Sequence, residues 1–211
     1  WAAFARDQNL ARLSLRDRSM DVLDVIAILR SAQVRFGAAA VDLPPGSFLQ
    51  ASPAAEAVLA GAVAQAVRGA GPVADLYAGC GTFSLPLSAQ AEVLAVENDA
   101  ALAAALQAAA NRVGRRLRVE RRDLDRRPLA AKELDRFGAV VFDPPRVGAK
   151  AQAAALAESK VPVVVGVSCA PQTFARDARL LVDGGYRLGG VLPVDQFVWS
   201  AHVELVGVFQ R

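Results

Sequence analysis

The sequence predicts an α/β fold: a mostly parallel sheet of seven strands with an antiparallel terminal strand. Three observations predict it. From Val73 onward, short apolar runs of strand length alternate with stretches of helical period. Such alternation means βαβ units, because parallel neighbours need a crossover that a helix supplies. Second, the chain ends differently, with β-like runs at 186–194 and 201–209 joined by only a short link. A link that short returns the last strand antiparallel. Third, a chain of 211 residues, 54% of them hydrophobic, suits one such domain with a small appendage.

Residues 1–50 read as a small N-terminal lead-in, and 51–211 as the main domain. In the lead-in, 34–36 pairs with 39–43 as a hairpin across Gly37, followed by the loop Pro44-Pro45-Gly46 and then Ser47-Phe48-Leu49-Gln50. Ser52 then caps a helix with Pro53 at its first position, running to about Arg68 and stopping at Gly69. The five parallel strands are 73–77, 92–96, 117–119, 139–142 and 161–167. Between the second and third, Leu102, Leu106, Ala109 and Val113 mark one helix face at 3.6 spacing. Further helices fall at 149–159 and 173–182, the latter closed by Gly184-Gly185. The layout is similar to that of the Rossmann-like class I methyltransferases.

Composition excludes several classes. The charged fraction of 21% and the scattered Pro and Gly argue against disorder and collagen-like structure. No apolar run approaches the roughly 18 residues of a membrane span. Residues 1–14 hold no signal-peptide core. A start at Trp1 instead of Met suggests a processed chain or a fragment. Twenty-four basic residues stand against 21 acidic, net +3. That excess permits nucleic-acid binding without arguing for it. Eight arginines lie between Arg112 and Arg127, a basic patch able to meet phosphates or a solvated helix end. Cys80 and Cys169 have no metal-ligand spacing and no disulfide framework, so two free thiols in a reducing cytoplasm are expected.

Two regions carry chemistry. In the first, Asp75-Leu76-Tyr77-Ala78-Gly79-Cys80-Gly81-Thr82-Phe83 leaves a strand and opens a helix. Glycines there let backbone approach a ligand closely, although a tight turn without a ligand would look the same. The next strand leads into Glu97, where a carboxylate can accept bonds from both ribose hydroxyls. With no third glycine at dinucleotide spacing, S-adenosylmethionine fits better than a pyrophosphate. Asp123, beyond the third strand, is placed to meet an adenine edge or merely to start a helix.

The second region is at the other strand ends. Asp143-Pro144-Pro145-Arg146 follows the fourth strand, and the prolines stiffen a turn that holds Asp143 at the sheet edge. An Asp-Pro-Pro loop also occurs in amino-group methyltransferases, which place an aromatic where Arg146 stands. Cys169 follows the fifth strand directly before a helix, whose N-terminus is expected to lower the thiol pKa. A buried, inert thiol is the alternative. His202 and Glu204 are expected to share one face of the final strand. An antiparallel strand would then bring Glu204 near Cys169 and Asp143. His202, the sole histidine, reads more readily as a packing residue.

Taken together, SFLQ (47–50), DLYAGCGTFSLPL (75–87), VEND (96–99), VVFDPPRVGA (140–149), VSCAPQTFARD (167–177) and PVDQFVWSAHVE (193–204) resemble the RNA 5-methyluridine methyltransferases. The resemblance spans 43–211. It implies an S-adenosylmethionine site lined by Gln50, Tyr77, Thr82, Glu97, Asp123 and Asp143, with Cys169 as nucleophile and Glu204 as base. It implies ribosomal RNA, or else transfer RNA, as substrate, and a monomer is expected. Ala78, Thr82 and Ala170 depart from the usual Cys, Asn and Asn. The family's N-terminal RNA-binding barrel, sometimes with a cysteine-held iron–sulfur cluster, has no counterpart in the sequence. The competing readings are an amino-group methyltransferase using the Asp-Pro-Pro loop and a non-catalytic RNA-binding module.

Overall fold

The computed structural model describes residues 1–17, 22–197 and 199–211. Val198 of the PVDQFVWSAHVE motif and residues 18–21 of the lead-in lie outside the described residues. The chain opens with α1 (Ala2–Asp7) and an antiparallel pair, β1 (Arg12–Asp17) and β2 (Val22–Ile28). A second pair follows, β3 (Gln33–Phe36) and β4 (Ala39–Asp42), where a hairpin is predicted. The first pair has no counterpart among the predicted elements: several of its apolar residues, Val25, Ile26 and Ile28 among them, stay exposed, so burial imposes little pattern on it. The second pair is built into the main domain. Phe36, Ala39 and Val41 enter the same buried cluster as Leu59 and Val73, and Arg112 ties the edge down, bonding Ala40 O at 2.7 Å and Asp42 at 3.1 Å.

Next come α2 (Pro53–Ala66), β5 (Val73–Leu76), α3 (Ser84–Leu87), β6 (Val93–Glu97), α4 (Ala100–Arg112) and β7 (Leu117–Arg121). The chain continues through α5 (Ala131–Leu134), β8 (Ala139–Phe142), α6 (Lys150–Glu158), β9 (Val163–Ser168), α7 (Pro171–Asp183), β10 (Arg187–Val194) and β11 (Glu204–Gln210). Capping decides two starts. Ser52 Oγ accepts from Ala55 N at 3.1 Å at the head of α2, and Asp99 accepts from Ala101 N and Leu102 N at the head of α4.

The main sheet has the order β10-β11-β9-β8-β5-β6-β7. Strands β5 to β9 run parallel, and β11 lies antiparallel between β9 and β10. The central strands β5 and β8 are buried at every position, as parallel strands covered on both faces must be. Alternate residues feed two cores. Val73, Val141, Leu59 and Leu106 pack on the α2 and α4 side; Leu76, Val140, Leu156 and Leu181 pack on the α6 and α7 side. Each fully buried leucine contributes about 2 kcal/mol from water exclusion alone.

One packing detail aims α7. Gly166 and Gly207 are partners across β9 and β11, and a Cβ on Gly207 would meet the Phe174 ring at 2.5 Å. The paired glycines leave a slot for that ring, which holds α7 and the turn before it against the sheet. Among the described residues no helix is long and apolar enough to cross a membrane.

Candidate active site

Parallel strands all end at one edge of the sheet, and the order reverses between β5 and β8, which is where open α/β sheets bind ligands. A cleft of about 550 Å³ opens there. Gln50, Tyr77, Thr82, Glu97, Asp123, Asp143, Cys169 and Glu204 all line it. Six come from loops or strand ends of the parallel sheet, Gln50 from the segment before α2 and Glu204 from the first residue of β11.

At the β5 end the backbone turns sharply. Tyr77 takes a φ of 61°, rare for a side-chain-bearing residue, and Gly79 and Gly81 take φ of 56° and 103°. A Cβ on Gly81 would run into the Leu106 and Leu85 side chains, so only glycine closes this turn. The turn brings Gly79 N to donate to Glu97 Oε2 at 2.8 Å, while Asp99 N donates to Glu97 Oε1 at 2.7 Å. Each carboxylate oxygen keeps a second lone pair, so Glu97 is rigid and able to accept two hydroxyls of a ribose. Asp123 Oδ1 accepts from Asp125 N and Arg126 N, and Tyr77 Oη donates to Asp125 at 3.2 Å. The Asp123 carboxylate is therefore oriented by its own turn. The tight turn at Gly79–Gly81 is present, whereas Asp123 starts a turn and not the expected helix; both segments face the cleft.

At the β8 and β9 ends, charge is crowded. Burial, then Glu204 and Asp75, push the Asp143 carboxyl up to about 8. Asp75 is fully buried beneath it; burial lifts its carboxyl to about 7, although Ser84 Oγ donates to it. Glu204 is 2% exposed, and burial raises its pKa against the opposing pull of a Gln196 hydrogen bond and Arg146. Cys169 sits between Ser168, the end of β9, and Ala170, the N-cap of α7. Ser168 Oγ accepts from Ala170 N at 3.1 Å and fixes that turn.

The expectation that the helix N-terminus lowers the Cys169 pKa is corrected. Its thiol is raised, first by burial, then by Glu204 and Asp143; only Arg146 pulls it down. Burial leads, Glu204 and Asp143 add to it, and the thiol is set back one residue from the α7 N-cap. Cys80 goes higher, to about 11 by burial, and is the more inert thiol. His202 is also corrected. It precedes β11 instead of sharing a strand face with Glu204, is exposed, and meets the Phe197 ring edge-on at 6.1 Å.

Sequence reasoning missed two residues. Arg146 stands out in sequence only for displacing an aromatic, yet its charge acts on both Cys169 and Glu204. Gln196 donates to Glu204 Oε1 at 3.2 Å and to Gln50 Oε1 at 2.8 Å. A polar residue in the PVDQFVWSAHVE motif was its only signal. Part of the arginine run is structural: Arg122 pairs with Glu120 and Glu133, and Arg126 with Asp123. A larger hollow of about 630 Å³ opens where the strands begin, but its charged lining is only Glu92, Arg115 and Arg116, with no thiol.

Comparison with known proteins places this geometry. A family model described as tRNA (uracil-5-)-methyltransferase matches residues 31–211. A protein of Mesorhizobium japonicum named as an uncharacterized RNA methyltransferase is 49% identical over 210 residues, 99% of this chain and 50% of its own. The 23S rRNA (uracil(1939)-C(5))-methyltransferase of Pseudomonas putida is 39% identical over 176 residues, 79% of this chain and 38% of its own. The crystal structure of Pyrococcus abyssi tRNA (uracil-54, C5)-methyltransferase with S-adenosyl-L-homocysteine superposes with a TM-score of 0.80 at 26% identity, covering 94% of this chain and 50% of that one. The chain spans about half the length of the curated relatives it matches. With the family model matched over all but the first 30 residues, the chain belongs to the tRNA (uracil-5-)-methyltransferase family.

Proposed function

We propose that the chain carries out S-adenosylmethionine-dependent methylation of uracil C5 in RNA, with Cys169 as nucleophile and Glu204 as base. The observation that carries this reading is the meeting of a thiol and a carboxylate in one cleft with a nucleoside-shaped turn. Family membership and the chemistry of uracil support it. C5 of uracil is too weak a nucleophile for a sulfonium methyl until C6 is attacked.

The residues fit S-adenosylmethionine. Gly79 and Gly81 remove side chains where an adenosine would approach, and Glu97 is braced to receive hydroxyls. Asp143 and Glu204 line the cleft with carboxyls whose raised pKa values a bound sulfonium or ammonium would bring back down. When bound, the cofactor supplies an electrophilic methyl group.

Cys169 Sγ adds to C6, and the C5–C6 double-bond electrons move onto C5 and the neighbouring carbonyl. Arg146 stabilises the thiolate that this step needs. C5 would take the methyl group that bound S-adenosylmethionine supplies, the sulfonium–methyl bond breaking to leave the neutral thioether S-adenosylhomocysteine. Glu204 then removes the C5 proton, the double bond re-forms, and Sγ leaves as thiolate. Glu204, buried with a raised pKa, binds that proton more readily than an exposed carboxylate would. A base held in a stem must be extruded to reach Cys169.

Greater identity to the Pseudomonas putida relative than to the Pyrococcus abyssi one supports 23S ribosomal RNA as substrate, with transfer RNA the other outcome. Two free cysteines support a reducing, cytoplasmic setting. The experiment is trapping with RNA that carries 5-fluorouridine, which blocks proton removal. The chain should form a covalent adduct stable to denaturation, and Cys169→Ala should form none while still binding S-adenosylhomocysteine. Methyl transfer that persists in Cys169→Ala would favour the amino-group reading instead.

A further inference from the structure

Gln196 lies between two groups of the site, and its bonds determine which of its amide atoms is which. Ala51 N lies 2.9 Å from one end of the Gln196 amide. A backbone N–H only donates, so that end is Oε1. The opposite end is then the NH₂ group, and its two hydrogens have two acceptors. One bond reaches Gln50 Oε1 at 2.8 Å, the other Glu204 Oε1 at 3.2 Å.

The chain of donors continues outward. Because Gln196 donates to Gln50, the bonded Gln50 atom must be its carbonyl oxygen. Gln50 lines the cleft, so its own NH₂ is the end left to face a ligand. Because Gln196 also donates to Glu204 Oε1, a proton on that oxygen would set two donors against each other. Oε2, which takes no hydrogen bond among the described residues, is left to accept a proton.

We propose that Gln196 is a positioning residue that makes Gln50 present a hydrogen-bond donor to the bound cofactor and makes Glu204 Oε2 the oxygen that takes the C5 proton. The inference deepens the methyltransferase reading and rests on it. It makes the ligand group opposite Gln50 an acceptor, such as the carboxylate of the cofactor's amino-acid end. It also links the cofactor end of the cleft to the base through one side chain.

Glu204 is also faced by Arg146 and Asp143 from the loop after β8 and by Cys169 from the end of β9. The test must therefore isolate Gln196. It uses this chain without RNA, with the ¹³C carboxyl resonance of Glu204 followed against pH and assigned by its loss in Glu204→Gln. Gln196→Leu removes the donor and should raise the Glu204 midpoint by about one pH unit, the effect of one charge-assisted hydrogen bond. Gln196→Glu sets a like charge there and should raise it further. In the unsubstituted chain the Gln196 side-chain amide should shift with the same midpoint as Glu204. Gln196 is half-buried in a loop, so neither variant should lose the fold, and circular dichroism checks this. A midpoint unmoved in both variants overturns the role at Glu204.

The second arm titrates S-adenosylhomocysteine. In Gln196→Glu the Gln50 amide turns over to donate to the new carboxylate and presents its carbonyl to the ligand, so affinity should fall about tenfold. An unchanged affinity overturns the role at Gln50. Failure of the unsubstituted chain to bind S-adenosylhomocysteine would overturn the methyltransferase reading itself. The carboxyl titration would still decide the role at Glu204.

Discussion

Cys169 and Glu204 stand opposite each other just beyond the last pair of an antiparallel ladder, that of Ser168 with Leu205. Residues opposed in this way project to the same face of the sheet, so a thiol and a carboxylate far apart in sequence are brought to one cleft by register alone. A shift of one residue would turn Glu204 to the other face. The pairing of Gly207 with Gly166, which makes room for Phe174, holds the ladder against that slip.

In the proposed mechanism this opposition separates the two half-reactions. Glu204→Gln should then leave thiol addition and methyl transfer in place and remove the acceptor of the C5 proton. Turnover should fall by a factor of roughly 10² to 10⁴. Ordinary, unfluorinated RNA should accumulate as a methylated covalent adduct, visible on a denaturing gel and absent with Cys169→Ala. Loss of turnover without an adduct would show that Glu204 acts before the methyl transfer step.

Arg146 is the positive charge that offsets two carboxylates at the thiol. In Arg146→Met the Cys169 pKa should rise further, because burial, Glu204 and Asp143 remain while the one opposing influence is gone. The rate of Cys169 alkylation by iodoacetamide, followed against pH, should shift its midpoint upward. Cys80, with a thiol already at about 11, contributes little below pH 9. Arg146→Lys should retain part of the effect, since it keeps the charge but not the planar fork.

The sheet was legible in the sequence because its physics is local. Runs such as Ala-Val-Val-Phe at 139–142 and Val-Val-Val at 163–165 are apolar without alternation, which only a strand buried on both faces tolerates. Seven of the eight candidate residues sit at strand ends or in adjacent turns, where topology alone gathers them, and Gln50 comes from the segment before α2. The Cys169 pKa was not legible, because the burial that chiefly raises it, and the added push of Glu204 on β11 and Asp143 after β8, are set by the fold. Nor was Gln196, whose partner Gln50 is 146 positions away. The β1–β2 hairpin escaped because so little of it is buried.

Asp75 and Asp143 should make stability fall with rising pH. Both have folded pKa values above the ordinary 3.8, about 7 and about 8. The folded chain holds these protons more tightly than the unfolded one. The stabilisation is therefore complete below about pH 4 and is lost as pH rises through 7 and 8. Within its window each group alone tilts stability by about 1.4 kcal/mol per pH unit. Asp143→Asn removes its share, so the thermal midpoint of the variant should gain on the unsubstituted chain from pH 6 to pH 9. S-adenosylmethionine, being cationic, should bind with proton release and more tightly at pH 8.5 than at pH 6. Equal pH slopes in the two chains would rule out the raised carboxyl.

The loop that carries Asp143 and Arg146 is fastened to the helix that follows Cys169. Buried Asp177 accepts from Ala149 N at 2.6 Å and pairs with Arg176 at 2.7 Å, while Arg176 donates to Val147 O and Thr173 Oγ1 to Arg146 O. Gly148, at a φ of 78°, lies so close that a Cβ would meet Asp177 Oδ2 at 2.7 Å. Asp177→Ala strips the acceptor from the buried Ala149 N–H and leaves Arg176 with Val147 O alone, costing roughly 1–3 kcal/mol. Gly148→Ala should cost a similar amount through the forced backbone and the collision. Both variants lie outside the reacting groups, so a purely local effect on stability would leave turnover per folded molecule intact. The fastening predicts instead that turnover falls alongside the denaturation midpoint, because Arg146 and Asp143 lose their fixed positions against Cys169. Turnover measured well below the variants' melting temperatures, where both remain folded, distinguishes the two outcomes.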